Sequence, residues 1–240
     1  MNALEQLGQG IEEVEERGSF MSDVIWFVTG NTSKFNEAKQ HFSRLSYDFR
    51  QFDPGHHAIG VPQSTSIEEV AQSKLEQAQR LLQEMGEVTN VLVEDAGLFI
   101  QPLDGFPGIY SSYVQETIGL EGILRLLHHL QSENPNQLRS LRTASFKAVA
   151  KLSLNGALYE GDGECKGYIA TSIRGDSGFG FDPIFIPNDL DVTGESVLPG
   201  EQGELSTHGA TFGEVSMEMK AKFSHRQRAL DRLLSTIESG

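Results

Sequence analysis

The sequence predicts an α/β fold, a mixed, twisted sheet with flanking helices that forms one elongated unit with a central cleft. Three observations predict it. Short apolar runs of strand length alternate with longer segments whose apolar residues recur at helical spacing. Two long alternating segments meet at Asn155-Gly156, which is a strong signal for a β-hairpin. A length of 240 residues and a hydrophobic content of 38% are sufficient for one sizeable core.

The amino-terminal part predicts a strand, a tight turn and a helix, followed by a second helix and a second strand. Residues 24–28 are the first apolar run, and residues 31–44 have apolar side chains spaced for one helical face. Ser66-Ile-Glu-Glu69 fits a capping box that opens a helix extending to about residue 85. Residues 91–93 are continuously apolar, so we expect a short buried strand there.

The carboxyl-terminal part predicts a helix, a hairpin and a closing helix. Residues 116–131 form the helix, and residues 143–154 and 157–170 form the two strands of the hairpin. Ser224 is the expected cap of the closing helix, and Gln227 stands where a capping box requires it. The buried stripe of that helix is expected to consist of Ala229, Leu230, Leu233, Leu234 and Ile237.

The chain divides into an extension and one domain. Residues 1–21 are polar and acidic, and we expect a flexible amino-terminal extension. Residues 22–240 are expected to form the domain. Within it, residues 187–213 are rich in Gly, Asp, Glu, Ser and Pro without periodicity, which is typical of a mobile inserted surface loop.

Composition excludes several classes of partner. The net charge of −15 is opposite to the broad basic footprint of a nucleic-acid-binding protein, so we expect no nucleic acid polymer as partner. Apolar runs fall short of the roughly 18 residues that a membrane span requires, so we expect no membrane association. Cys165 is the single cysteine, and no internal disulfide can form. A reducing compartment, the cytoplasm, is therefore expected.

The first candidate site follows the first strand, at Thr29-Gly-Asn-Thr-Ser-Lys34. A helix that begins near Asn31 directs unpaired amides and the positive end of its dipole at the space above the strand, and Lys34 adds a full charge. This arrangement favours an anion such as phosphate. A capped surface helix with a solvated lysine is the alternative interpretation.

Two acids, Glu94 and Asp95, follow the strand expected at residues 91–93. Ligands of open α/β sheets bind at the carboxyl ends of strands. Adjacent carboxylates suit Mg²⁺, which takes oxygen ligands and bridges carboxylates to substrate phosphates. Two solvated acids at a strand terminus are the alternative.

Aromatic and basic side chains occupy two further phrases near the carboxyl terminus. In Gly178-Phe-Gly-Phe-Asp-Pro183, Phe179 or Phe181 could stack on a base, and Asp182 could accept hydrogen bonds from ring nitrogens. An edge strand with core phenylalanines explains the same pattern. Lys220, Lys222 and Ser224-His-Arg226 bring cations to a helix start, where they oppose the helix dipole, so a ligand contact is a better explanation than helix stability.

Taken together, these phrases resemble those of the inosine triphosphate pyrophosphatase family. The resemblance extends from about Val24 to Leu234 and preserves the order of the motifs. They are T-G-N-x-x-K-x-x-E at 29–37, V-E-D-x-G-L at 93–98, G-F-P-G-x-Y-S-S at 105–112, G-F-G-F-D-P-I-F at 178–185 and S-H-R at 224–226.

The resemblance implies a homodimeric, Mg²⁺-dependent enzyme with a central nucleotide cleft. Such an enzyme splits ITP, dITP or XTP into the monophosphate and diphosphate, with water attacking the α-phosphorus. By motif position, the triphosphate is held by Thr29, Gly30, Asn31 and Lys34, the last also catalytic. Asp95 is the catalytic carboxylate, and Asp95 and Glu94 are the metal ligands. The base is bound by Phe179, which stacks on it, and by Gly180, Phe181, Asp182, Lys220, His225 and Arg226.

The sequence departs from the family pattern in three places. Val61 stands where the family pattern has a second metal-site acid, so Asp53, Glu68 or Glu69 is expected to substitute for it, or the metal to bind less tightly. Ala221 replaces an asparagine, and the 187–213 segment is longer than the pattern implies. Two alternatives to an active enzyme therefore stay open. One is a purine nucleotide-binding protein with weakened catalysis, and the other is an interaction protein whose phrases serve packing.

Overall fold

The computed structural model describes residues 23–55, 59–87 and 90–239, so the predicted extension at 1–21 lies outside the described residues. The strands are β1 (Val24–Val28), β2 (Asp48–Phe52), β3 (Asn90–Ile100), β4 (Pro107–Gly108), β5 (Thr143–Leu154), β6 (Ala157–Ile169) and β7 (Phe185–Pro187). The helices are α1 (Thr32–Phe42), α2 (Ile67–Glu84), α3 (Ser111–Thr117), α4 (Gly119–Leu126), α5 (Pro135–Leu141), α6 (Met217–Ala221) and α7 (His225–Ser239). Single 3₁₀ turns occupy Gln101–Leu103 and Asp182–Ile184.

The strands form one mixed sheet in the order β2-β1-β3-β5-β6-β7, with β4 paired to β3. Strand β1 lies between β2 and β3 and is parallel to both. The pairs β3–β5, β5–β6, β6–β7 and β3–β4 are antiparallel. The predicted mixed sheet with flanking helices is confirmed.

Strand β3 is the centre of the sheet and is longer than predicted. We expected a short strand that ends at Glu94-Asp95, but β3 continues to Ile100 because β5 pairs with it along its length. Its pairing with β1 reaches only Leu92, and its pairing with β4 begins at Leu98. Between Leu92 and Leu98, therefore, this edge of β3 pairs with neither strand in the described residues, and an opening lies there beside the turn that follows β1.

Side chains of β3 alternate between two cores. Val91 and Val93 pack with α2, whereas Leu92 packs with α7 and with β1 residues on the other face. Further along, Leu98 and Ile100 join a separate core cluster on the same face as Leu92. Because successive strand residues point to opposite faces, this alternation also sets the directions of the polar residues between them.

The predicted helix at 116–131 is wrong in its bounds. Helix α3 ends at Thr117 and α4 begins at Gly119, whose φ of +60° interrupts the helical path. Helix α4 ends at Leu126, and Asn134 caps a separate helix, α5, which begins at a proline. Apolar periodicity continues across these breaks, so the sequence concealed them.

The hairpin and the closing helix agree with the sequence. Strands β5 and β6 meet at Asn155 and Gly156, which both have positive φ, as the tight turn requires. The Ser224 side chain caps α7 by accepting a hydrogen bond from the Gln227 amide at 3.2 Å. Helix α7 packs closely on β6, because glycine stands at 161 and 163, where a Cβ would overlap the helix backbone.

Residues 187–213 contain no helix, and their strand content is limited to the end of β7 and isolated bridges from Leu190 to Ser196 and Leu205. Leu190 and Phe212 are buried, so both ends of the segment are attached to the core. The predicted irregular structure is observed, and mobility stays a prediction. Among the described ranges, none of the helices has the length and apolar character needed to span a bilayer.

Candidate functional site

The turn after β1 is shaped by short-range hydrogen bonds. The Thr29 hydroxyl accepts a hydrogen bond from the Asn31 amide at 3.1 Å, and Asn31 caps α1 by accepting one from the Lys34 amide at 3.0 Å. Gly30 lies against the Asp53 carboxylate, 3.1 Å from the position that a Cβ would occupy. Gly30 and Asn31 are exposed, so this helix start faces solvent and is accessible to an anion.

Lys34 belongs to a buried ion network. Its Nζ lies 2.7 Å from Oε2 of Glu94, whose side chain is buried, and Nε of Arg226 lies 3.3 Å from the other oxygen. Arg226 also pairs with Glu37 at 2.9 Å. Burial alone would raise the pKa of Glu94, but the Lys34 ammonium and the Arg226 guanidinium hold that pKa well below its usual range. Glu94 is therefore a fixed negative charge.

Asp95 points to the opposite face of the sheet. It follows the alternation that directs Val91 and Val93 toward α2, and Lys74 on α2 is its counterpart there. Burial raises the pKa of Asp95, and the Lys74 and Lys34 ammonium groups oppose that rise. Burial likewise lowers the pKa of Lys74, whose ammonium donates a hydrogen bond to the Glu94 carbonyl at 3.0 Å. A carboxylate and an ammonium with converging pKa values suit proton transfer.

Phe179, Lys220 and Asp182 form an aromatic and charged cluster. The Lys220 ammonium lies 4.3 Å from the centre of the Phe179 ring and pairs with the Asp182 carboxylate at 2.5 Å. The same carboxylate accepts a hydrogen bond from the Phe179 amide at 2.7 Å. Phe179 is 42% exposed, whereas Phe181 is buried in the core. Of the two candidate rings, Phe179 is the more accessible for stacking.

His225 forms another wall of the same space. Its ring stacks on Phe146 with centroids 5.1 Å apart, and it is buried. Burial and the neighbouring Arg226 hold the pKa of His225 well below its ordinary value, so the imidazole is neutral near pH 7. A neutral imidazole can donate one hydrogen bond and accept another.

One cavity of ≈590 Å³ connects these groups. The predicted site residues that line it are Asn31, Lys34, Phe179, Gly180, Phe181, Asp182, Lys220, His225 and Arg226. Four others, Thr29, Gly30, Glu94 and Asp95, do not line it. Glu94 contacts two lining residues directly, and Asp95 is within electrostatic reach of Lys34. The cavity has the size of a small-molecule site.

Sequence reasoning missed several polar residues of this region, among them Lys74, Gln115 and Glu37. Lys74 was overlooked because it lies within an amphipathic helix, where lysines usually face solvent. Gln115, which lines the cavity, lies one residue before the predicted start of the helix at 116–131. For Glu37, its place in the T-G-N-x-x-K-x-x-E phrase was the available signal, since it stands one turn after Lys34.

The acids near the turn are the candidate metal ligands. Within the described ranges, no group of three His, Cys, Asp or Glu side chains is placed to hold a metal. Glu94 is already paired with two cations, and Asp95 lies on the other face. A hard cation here would therefore have at most one or two protein carboxylates as ligands and would depend mainly on substrate phosphates for the others.

Fold and site together define the class, an α/β protein whose open sheet carries a cleft with buried cations, a buried acid and one accessible aromatic ring. The chain matches the model described as the Ham1 family over residues 25–236, and it belongs to that family. This confirms the resemblance that the motifs indicated.

Named relatives support the same conclusion. The dITP/XTP pyrophosphatase of Methanopyrus kandleri is 40% identical over 209 residues, which cover 87% of this chain and 93% of that protein. The enzyme of the same name from Thermococcus kodakarensis is 38% identical over 204 residues, 85% and 91% of the two chains. The solved structure of the Staphylococcus aureus Ham1 protein has a TM-score of 0.65 and 28% identity, covering 90% of this chain and 98% of that one.

Proposed function

We propose that the chain hydrolyses deaminated purine nucleoside triphosphates, ITP, dITP and XTP, to the monophosphate and diphosphate, and so removes them from the nucleotide pool. One observation supports this most strongly. A single cavity carries the Lys34–Glu94–Arg226 network and the Phe179–Lys220 cluster, a pairing suited to a phosphate group and a base. Relatives at 38–40% identity bear the name dITP/XTP pyrophosphatase.

The phosphate end of the substrate is assigned to the turn after β1. Amides at the start of α1 and the Lys34 ammonium face the same space and would neutralise the leaving diphosphate. Asp95 accepts a proton from the attacking water, and the neighbouring Lys74 ammonium opposes the rise in the pKa of Asp95 that burial causes. Attack at the α-phosphorus then breaks its bond to the oxygen that bridges to the β-phosphorus. This chemistry requires alignment and charge neutralisation more than covalent participation.

The family suggests a divalent metal cofactor, and we propose Mg²⁺. Asp95 is the main candidate ligand, and the exposed Asp53 beside Gly30 is the acid best placed to substitute for the one absent at Val61. Glu94 can contribute a ligand oxygen only if Lys34 or Arg226 releases it. When bound, the ion supplies charge neutralisation on the phosphate oxygens.

The base end is assigned to Phe179 and its neighbours. The accessible face of Phe179 stacks on the purine, and Lys220, Asp182, His225 and Arg226 surround the edges of the ring. A donor aimed at the 6-oxo group is left facing another donor when adenine brings a 6-amino group. Buried mismatches of this kind reach about 10⁴-fold in discrimination.

The oligomeric state, the partners and the location of the protein complete the proposal. We propose a homodimer, and an exposed apolar surface suits its interface: Phe106, Tyr110, Tyr113 and Ile118 are 39%, 45%, 68% and 40% exposed. The net charge of −15 disfavours a nucleic acid polymer as partner. A cytoplasmic location and a single domain at 22–240 complete the proposal.

The test is hydrolysis by the purified protein of ITP, XTP, GTP and ATP at equal concentration, with and without Mg²⁺. We expect diphosphate as product, a preference for ITP and XTP, and no turnover without the metal. ATP preference or orthophosphate as product would contradict the proposal. Binding of ITP without release of diphosphate would instead support the alternative, a nucleotide-binding protein whose catalysis is weakened because Val61 replaces a metal-site acid.

A further inference from the structure

Gln115 carries a buried hydrogen-bond acceptor without a partner. Its Oε1 atom is buried and makes no hydrogen bond within the part of the chain that the structure describes, and the residue lines the ≈590 Å³ cavity. His225 Nδ1 shares both properties. Unpaired buried polar atoms are rare, because a buried polar group without a partner destabilises the fold. Two of them around one cavity indicate a ligand that pairs with them.

The backbone that carries Gln115 is held firmly in place. Ser111, at the start of α3, accepts a hydrogen bond from the Leu98 amide at 2.8 Å and donates one to the Gly108 carbonyl at 2.7 Å. Residues four apart lie on the same face of a helix, so Gln115 stands one turn beyond Ser111, and both line the cavity. The orientation of Gln115 toward the cavity is therefore built into the attachment of α3 to β3.

Gln115 Oε1 is a hydrogen-bond acceptor, and this determines which ligand groups can pair with it. A carbonyl oxygen repels phosphate oxygens, so Gln115 Oε1 is not a phosphate ligand, and it requires an N–H or O–H donor. A nucleoside offers such donors in the lactam N–H of a deaminated base and in its ribose hydroxyls. Adenine has a lone pair at N1 where the 6-oxopurines have a hydrogen, so an acceptor facing N1 would favour hypoxanthine and xanthine over adenine.

We propose that Gln115 is a specificity-determining residue whose side-chain carbonyl accepts a hydrogen bond from the nucleoside part of the substrate. The inference rests on the proposed function and extends it by one residue. A donor on the bound nucleoside would pair with this acceptor, which has no partner among the described residues. A residue of this kind has a distinctive signature, because replacing it weakens binding without weakening the fold.

Gln115→Met tests this, since methionine keeps the shape of the side chain and lacks the acceptor. We expect KM for ITP and the Kd of IMP measured by calorimetry to rise about three- to tenfold. The melting temperature should stay equal or increase. Gln83→Met is the matched control, because Gln83 is exposed on α2 and does not line the cavity, and it should change neither quantity.

Substrate analogues identify the donor. If the base donates, the penalty of Gln115→Met should vanish with 1-methyl-ITP; if ribose donates, it should vanish with 2′-deoxy-ITP or 3′-deoxy-ITP. A penalty that persists on all three analogues, or unchanged KM and Kd, would overturn the inference. Absence of ITP turnover by the unmodified protein would overturn the proposed function instead, while IMP calorimetry would still test Gln115.

Discussion

At the scale of single residues, the neighbours Glu94 and Asp95 differ in environment because they lie on opposite faces of β3. Glu94 is buried between Lys34 and Arg226, and its pKa is held low. Asp95 faces Lys74 instead, and burial raises its pKa. The sequence could indicate that both acids belong to the site. Their placement on opposite faces could not be predicted, because it requires that β3 continue past both acids, and β3 continues because it pairs with β5.

The Asp95 side chain is expected to be essential for turnover and dispensable for folding. Asp95→Asn removes the proton acceptor, so kcat for ITP should fall about 10²- to 10⁴-fold. IMP affinity and melting temperature should change little, since the amide has the same shape. Asp48→Asn, at an exposed position at the start of β2, is the control. Retention of near-normal kcat in Asp95→Asn would remove Asp95 from the mechanism.

The neutral state of buried His225 predicts a dependence of stability on pH. Its folded-state pKa is lowered, while the unfolded chain protonates near the ordinary value of about 6.5. As the pH falls below about 6.5, the unfolded chain binds a proton that folded His225 does not bind. The free energy of unfolding therefore decreases steadily until the pH reaches the folded-state pKa. Above about pH 6.5 this effect of His225 on stability is absent.

Thermal unfolding between about pH 7.5 and pH 5 measures this effect. His225→Phe, which can still stack on Phe146, should lose less melting temperature over that range than the unmodified protein. His129→Gln, at an exposed position, should behave like the unmodified protein. An identical pH dependence in all three proteins would show that His225 contributes nothing to it.

At the scale of elements, the site depends on how α7 lies on β6. A Cβ at Gly163 would overlap the His225 carbonyl oxygen, and one at Gly161 would overlap that of Ala229. The absence of side chains at these positions lets the helix backbone approach the sheet, and this approach brings His225 and Arg226 to the cavity. The Gly-Asp-Gly sequence of β6 was therefore the local signal for the position of α7.

Gly163→Ala should displace α7 and damage both stability and catalysis. Overpacking against a backbone costs at least about 1–3 kcal/mol, so we expect a lower denaturation midpoint in urea and a raised KM for ITP. Gly60→Ala is the control, because its Cβ would meet its nearest neighbour, Gln77, at an ordinary 3.7 Å. Equal stability of the two variants would contradict the packing argument.

Elements with strong local signals were predicted well. Strand β1, helix α2 and the hairpin follow from apolar runs, the Ser66 cap and Asn155-Gly156. The predicted capping box differs in one respect, because Ser64 stands between Glu69 and the Ser66 amide. The Ser64 hydroxyl donates a hydrogen bond to the Glu69 carboxylate at 2.6 Å and accepts one from the Ser66 amide. Strand β2 and the break at Gly119 could not be predicted, because they depend on partners distant in sequence or on one positive φ.

At the scale of the whole molecule, two helix starts on the same face of the sheet build the site. Helix α1 contributes Lys34 and α7 contributes Arg226, and both side chains converge on Glu94 of β3. Motif order in the sequence could not show this convergence. It arises because β1 and β3 are adjacent in the sheet, while α7 returns from the end of the chain to pack against β5 and β6.

The exposed apolar surface at Phe106, Tyr110, Tyr113 and Ile118 predicts self-association. Analytical ultracentrifugation should give twice the mass of one chain. Tyr113→Asp, which places a charge on the most exposed of the four side chains, should shift the population toward monomer. A monomeric unmodified protein at high concentration would refute the homodimer.

Under the proposed function, Lys34 and Phe179 contact opposite ends of one purine nucleotide in the shared cavity. A crystal structure with a non-hydrolysable ITP analogue and Mg²⁺ tests it most directly. We expect the base to stack on Phe179 and the phosphates to lie at Lys34 and at the amides that begin α1. Density for the base and the phosphates away from these two residues, or on separate faces of the sheet, would contradict it.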